Sequence, residues 1–238
     1  MKKVVLGIGG IILATSIYAA KLQSIPAWYY KIKNISKQKE AFFKILKPLV
    51  KEENAKIEKE RKFVIEFFND YYKNPFIKKD RLNNLIKLAK KYRIKNIYNK
   101  KEYLIKIDTI PDSLVLAQAA LESGWGKSRF AREANNLFGE WTFGKNGLIP
   151  QNREEGKNHK IRVFKTISDS IASYMLNLNR HRAYKEFRMA RYLSRKKGVK
   201  FSGLKAAMMM QRYSQIGKRY NKLVSSIIKK NRLHLHDS

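Results

Sequence analysis

The spacing of apolar and polar residues predicts a mostly helical chain with one short extended excursion. Over residues 36–70, Phe42, Phe43, Ile45, Leu46, Leu49 and Val50 form one apolar face, and Phe63, Val64, Phe67 and Phe68 form another. Pro48 lies inside this stretch and is expected to kink or divide it, because proline removes a backbone donor. Asn74-Pro75 marks a turn. Asp80 is placed to cap a helix carrying Leu82, Leu85, Ile86, Ala89 and Tyr92. Pro111-Asp112-Ser113 opens the next helix and Gly124 is placed to end it. In the Gly- and Asn-rich zone 135–156, Trp141-Thr142-Phe143, the turn Gly144-Lys145-Asn146-Gly147 and Leu148-Ile149 predict a small hairpin. Lys160-Ile161-Arg162-Val163-Phe164 alternates as a half-buried strand does. Helical spacing returns at Ile171, Tyr174, Met175 and Leu178, with two more helices expected near 203–211 and 220–230.

The helix after Pro111 breaks the amphipathic pattern. Leu114, Val115, Leu116, Ala117, Ala119, Ala120 and Leu121 leave almost no polar face, and a helix apolar all round is buried. Gln118 and Glu122 interrupt the run, and their i, i+4 spacing puts them on one side. Burial disfavours an ionised Glu122, and the unpaired carbonyls of the last turn disfavour it again. Both raise its pKa, as a general acid working near neutrality requires. The same pattern fits a glutamate that turns out to solvent before a glycine cap, and the segment alone leaves both readings open.

Composition adds two facts. The chain has 238 residues, a formal net charge of +33 and no cysteine. It can therefore bury a core of one or two domains without disulfides or thiolate metal sites. The positive charge is spread along the whole chain and suits polyanionic surroundings such as nucleic acid, anionic lipid or wall polymer. There is no zinc-finger spacing, phosphate loop or aromatic RNA-binding strand, which argues against nucleic acid. His159, His181, His234 and His236 form no HExxH pattern, so neither metal nor cofactor is expected, and the final His-Leu-His reads as a frayed tail. At the other end, Met1-Lys2-Lys3 precedes the uncharged residues 4–20. That is the pattern of an export signal or, uncleaved, an inner-membrane anchor.

Beyond Glu122 come Trp125-Gly126 and then Asn135-Asn136-Leu137-Phe138-Gly139. The run A-Q-A-A-L-E-S-G-W-G-K-S-R-F-A, followed by N-N-L-F-G, resembles the glucosaminidase domain of glycoside hydrolase family 73, whose members cut bacterial peptidoglycan. F-F-K-I-L-K-P-L-V-K-E-E-N before it and Y-M-L-N-L-N-R-H-R-A-Y after it resemble the Bax-protein branch of that family. The resemblance covers roughly residues 36–230. It implies a lysozyme-like fold, mainly α, with a helical body, a small β-hairpin lobe and a cleft between them. The chain then divides into a signal or anchor (1–20), a connector (21–35), a helical N-terminal region (36–109), the glucosaminidase domain (110–231) and a tail (232–238).

By the same resemblance, the catalytic acid falls on Glu122. A second carboxylate is expected on the β-lobe, where Glu140, Glu154 and Glu155 stand. Glu155 fits the branch pattern best and Glu154 is the alternative, although the usual Thr-rich strand is absent. A mechanism that uses the substrate's own N-acetyl group needs no second carboxylate. Tyr220 closes a motif whose family form is A-T-D-P-x-Y, without the T-D-P, and Tyr213 lies just before it. Gln118, Trp125, Asn136, Phe138 and Trp141 complete the expected substrate contacts. Trp125, Trp141 and Phe143 are flat rings able to cover a sugar face or to pack in the core.

The activity implied is endo-β-N-acetylglucosaminidase action on the β-1,4 bonds of the wall glycan, by a protein exported to the periplasm or held facing the wall. The partner is the peptidoglycan glycan strand. A lytic transglycosylase and a non-catalytic wall-binding module are the competing readings.

Overall fold

The computed structural model describes residues 22–144, 147–150 and 158–237. Its helices are α1 (Ala27–Tyr30), α2 (Ile35–Lys73), α3 (Lys79–Tyr92), α4 (Lys100–Lys106), α5 (Asp112–Glu122) and α6 (Arg129–Glu133), then α7 (Ile167–Arg180), α8 (Lys185–Lys196), α9 (Gly203–Ala207) and α10 (Lys218–Lys230). Strands β1 (Trp141–Thr142) and β2 (Lys160–Ile161) form a small antiparallel sheet between α6 and α7. The expected mainly helical fold with a small β-lobe is what the chain adopts.

Burial organises the rest. From Asp112 to Ala120 every residue of α5 is buried, because α2, α9, α10 and the C-terminal turn all pack around it. The long helix α2 gives Phe42, Leu46, Val50, Ile57, Val64, Phe67 and Phe68 to the same core. Asn54 on α2 then fixes how the chain turns into α5. Its Nδ2 donates to the Ile110 carbonyl and to Asp112 Oδ1, both at 2.8 Å, and its Oδ1 accepts from the Ile110 N–H at 2.9 Å.

Several sequence expectations need correction. Pro48 does not divide the first helix: α2 runs unbroken for 39 residues, with the proline on its exposed side. The carbonyl it frees belongs to Lys44, which is also exposed, so water can reach it. Asp80 is in the first turn of α3 and is not the cap, a place taken by Lys78. The segment 141–142 pairs with 160–161, and Leu148 forms a single bridge to Ile161. Among the described residues, the strand partner of 141–142 is thus 160–161 and not the expected 148–149.

The chain end is docked, not frayed. Residues Leu233–His236 form a 3-10 turn. The buried Asp237 carboxylate accepts from the Ser113 N–H (2.9 Å), Ser113 Oγ (2.8 Å) and the Gly203 N–H (2.8 Å). It therefore occupies the positive end of the α5 dipole. Residues 1–21, and with them the apolar N-terminal run, lie outside the described residues. Among the described residues no helix is long and apolar enough to cross a membrane.

Candidate active site

Glu122 is the last residue of α5, and the local sequence forces the chain to turn away directly after it. Gly124 takes the left-handed conformation, φ +55°, with Trp125 behind it at +60°. The Trp125 N–H donates to the Ala120 carbonyl at 2.8 Å, the long bond of a Schellman cap. Ser123 tightens the turn: its Oγ donates to the Ala119 carbonyl (2.5 Å) and accepts the Gly126 N–H (2.7 Å). Tyr29 and Tyr30 of α1 then donate to the carbonyls of Trp125 (2.6 Å) and Gly126 (3.2 Å). The carboxyl group is left half-buried at the rim of the helical body.

Its immediate surroundings are a chain of polar groups inside the core. The Tyr174 hydroxyl donates to Gln118 Oε1. Gln118 Nε2 donates to the Tyr220 hydroxyl at 2.8 Å, and that hydroxyl bonds to Glu122. Burial raises the Glu122 pKa and the Tyr220 bond pulls part of the way back, leaving it above the ordinary carboxyl value. Tyr220 itself is driven far up, first by burial and then by the neighbouring carboxylate. As a buried phenol it accepts from Gln118 on one side and donates to the Glu122 carboxylate on the other.

An aromatic row leads away from this acid. Tyr220 stacks on Tyr213 (5.4 Å between ring centres, 17° between planes), Tyr213 meets Tyr184 at 6.3 Å, and Tyr184 meets His181 at 6.0 Å. The Tyr184 pKa is raised to about 12, by burial first and then by Glu122 and Glu140. Glu140, in the segment leading into β1, accepts from Ser173 Oγ at 2.8 Å and lies 3.5 Å from the Arg162 guanidinium. Burial raises its pKa, and its Oε1 is buried with no partner among the described residues.

The sequence-predicted contacts separate into three groups. Tyr213 and Tyr220 do stand with Glu122. Trp141 (61 % exposed) and Phe143 (83 %) present open rings on the β-lobe, with Trp141 stacked at 4.3 Å on His159. The third group faces inward. Gln118 is 0 % exposed with both amide ends bonded to tyrosines, so it positions Tyr220 and is closed to ligand. Phe138 stacks at 3.9 Å on Tyr174 in the core. Asn136 is spent on backbone, donating to the Glu140 and Arg162 carbonyls and accepting the Glu140 N–H. Trp125 packs edge-on against Phe42 and Phe43 under Lys39. Gly126 leaves room for the segment that leads into α1 and for α2: a Cβ there would strike Ile25 and Phe42.

Glu155 and Glu154 lie outside the described residues. Among the described residues, no group of three His, Cys, Asp or Glu side chains is placed to hold a metal. Tyr174, Tyr184 and His181 were not picked out from the sequence. Tyr174 and Tyr184 sit at positions that helical spacing and burial already explain, so nothing in the pattern marks them as polar partners of an acid.

Residues 98–233, which contain all of these groups from Gln118 to Tyr220, match the Glucosaminidase family, described as mannosyl-glycoprotein endo-beta-N-acetylglucosaminidase. The match covers more than half of the chain, and the protein belongs to this family of glycoside hydrolases. It is similar to Protein bax of Escherichia coli (strain K12), with 32 % identity over 219 residues, 90 % of this chain and 76 % of that protein. It is also similar to Peptidoglycan hydrolase FlgJ of the same strain, 33 % identical over an 88-residue alignment that covers 32 % of this chain and 28 % of FlgJ. The FlgJ of Salmonella typhimurium is 32 % identical over the same length.

Proposed function

We propose that the protein is a peptidoglycan hydrolase, an endo-β-N-acetylglucosaminidase that cuts the β-1,4 bonds of the wall glycan with Glu122 as general acid. The observation that carries this reading is the setting of Glu122: the end of a buried helix, a raised pKa and a hydrogen bond to Tyr220. In its protonated form, which burial favours, Glu122 gives its proton to the glycosidic oxygen as the C–O bond breaks, and positive charge develops on the sugar left behind. Tyr220 holds the carboxyl in one orientation and stabilises the carboxylate formed by the transfer. The rings of Trp141 and Phe143 offer faces for neighbouring sugars. Glu155, with Glu154 as alternative, or the substrate's own acetamido oxygen, supports the cation or readies the water. The names of the FlgJ relatives support peptidoglycan as substrate. Such a substrate places the working enzyme outside the cytoplasmic membrane, facing the wall.

The test is digestion of purified peptidoglycan by wild type and Glu122→Gln, with analysis of the new sugar ends. Wild type should release reducing N-acetylglucosamine ends, and Glu122→Gln should be slower by roughly 10²–10⁴-fold. Anhydro-muramic ends would make the enzyme a lytic transglycosylase. Equal rates for the two proteins would remove Glu122 from the acid role.

A further inference from the structure

At the far end of the aromatic row from Glu122 the chain builds a second pocket, with a volume of about 580 Å³. The residue after α3, the turn after α7 and helices α4 and α8 enclose it. Six of its lining side chains are cationic: Arg93, Lys106, Arg180, Arg182, Lys185 and Arg188. Its one lining carboxylate, Glu102, is already paired with Lys106 at 2.8 Å.

Two of the arginines also have structural work. Arg188 donates to the Leu178 and His181 carbonyls and thereby caps α7, and Arg180 donates to the Lys91 carbonyl. That accounts for their directions but neutralises nothing, since a carbonyl carries no net charge. Arg93, Arg182 and Lys185 are exposed and make no side-chain hydrogen bond or ion pair among the described residues. Like charges held this close repel, and the strain shows on their neighbours. The pKa of Arg180 is lowered by burial and then by Arg93 and Arg162, and that of His181 by burial and then by four arginines. A concave site with this excess positive charge is complementary to a ligand with several oxyanions, which arginine engages through paired N–H donors.

The proposed substrate narrows the ligand. His181 lines the pocket and touches Tyr184, and from Tyr184 the rings lead through Tyr213 and Tyr220 to Glu122. Tyr184 and Tyr220 are buried, so this row joins the acid to the pocket through the core and not along a groove, and what matches the pocket is the charge of the substrate, whose peptide stems carry free carboxylates. We propose that this pocket binds the free carboxylates of the peptide stems carried by the glycan, so that the enzyme reads acidic stems on the strand it cuts. The inference rests on the proposed peptidoglycan substrate.

A muramyl peptide tests it, because a single sugar with its stem has no glycosidic bond to cleave. Calorimetry compares the free-acid form with a form whose carboxylates are amidated, on wild type and on the double variant Arg182→Gln/Lys185→Gln. Both substituted side chains are exposed and make no hydrogen bond or ion pair among the described residues, so the variant should melt with wild type. The free-acid form should bind wild type roughly tenfold tighter than the amidated form, and the double variant should abolish the difference. Equal binding of the two forms by wild type, or a preference that survives the double substitution, overturns the proposal. Failure to cut glycan while the charge-dependent binding persists would sink the glucosaminidase reading and leave the pocket's role standing.

Discussion

At Glu122, burial and a single hydroxyl pull in opposite directions, and that balance makes two predictions. Tyr220 favours the charged carboxylate, so Tyr220→Phe should raise the Glu122 pKa further. A general acid loses activity as pH rises through its pKa. The basic limb of kcat/KM for this variant should therefore move to higher pH, while the maximal rate falls because the carboxyl is no longer oriented. An unmoved basic limb would mean that another group controls it. The second prediction concerns stability. The folded Glu122 pKa lies above its unfolded value of about 4.3, so folding binds an extra proton, and the advantage is fully present below that pH. It is lost as pH rises through the folded value, where a partly buried charge must form. Glu122→Gln removes this penalty. Thermal melts should show the variant above wild type by a few degrees at pH 8, with the gap closing near pH 4. The sequence singled out Glu122 as one carboxylate at the end of an apolar run, but that pattern fits a solvent-facing glutamate equally well, and only the family resemblance favoured the acid reading. Gln118, by contrast, was visible as a polar interruption, but nothing in one dimension says that its two amide ends are taken by Tyr174 and Tyr220.

Elements were readable where their buried face is apolar and hidden where it is not. Helix α8 went unpredicted because its inward positions are Phe187, Arg188, Arg191 and Ser194. Hydrophobic periodicity cannot report a face built from arginines. Those arginines are buried because they satisfy backbone elsewhere: Arg191 donates to the Thr109 and Ile105 carbonyls, and Arg61 on α2 donates to those of Leu104 and Ile107 (2.7 Å each). Together they terminate α4, whose own sequence has no glycine stop. The end of the chain was misread for a similar reason, since its anchor is one carboxylate and not a hydrophobic stripe. Asp237 should be worth testing alone. Asp237→Asn weakens a charged acceptor of three bonds at the α5 N-terminus, and should lower stability by about 1–3 kcal/mol in denaturant titrations. Its effect on glycan cleavage by the folded protein should be small, because Glu122 lies at the other end of an 11-residue helix, about 16 Å away. Loss of cleavage at full stability would give the tail a part in the site.

For the molecule as a whole, the question is whether the helices before the family match form an appendage or part of one fold. Residues before 98 include α1, α2 and α3, and the matched segment begins only at 98. Yet a single apolar core joins Phe42, Leu46, Val50, Ile57, Val64 and Phe67 of α2 to Leu114, Val115, Leu116 and Ala117 of α5. The ionic links cross the same boundary. Buried Asp108 faces Arg61 of α2 at 3.6 Å, and Arg191 and Arg195 of α8 at 3.8 and 2.6 Å. The turn that follows Glu122 is tied to Tyr29 and Tyr30 of α1. A fragment beginning at residue 98 would expose the apolar side of α5 and leave Asp108 and the start of α5 without their α2 partners. Burying a large side chain contributes about 1.5–3 kcal/mol, so losing six such contacts removes roughly 9–18 kcal/mol, as much as the whole 5–15 kcal/mol by which a domain is stable. The fragment should therefore be unfolded by circular dichroism and inactive on peptidoglycan, whereas the same segment within the full chain is folded. A fragment that melts cooperatively would show that α2 only leans on the family domain. In the full chain, Glu122 keeps its geometry because the residues that follow it are clamped by helices from outside the matched region.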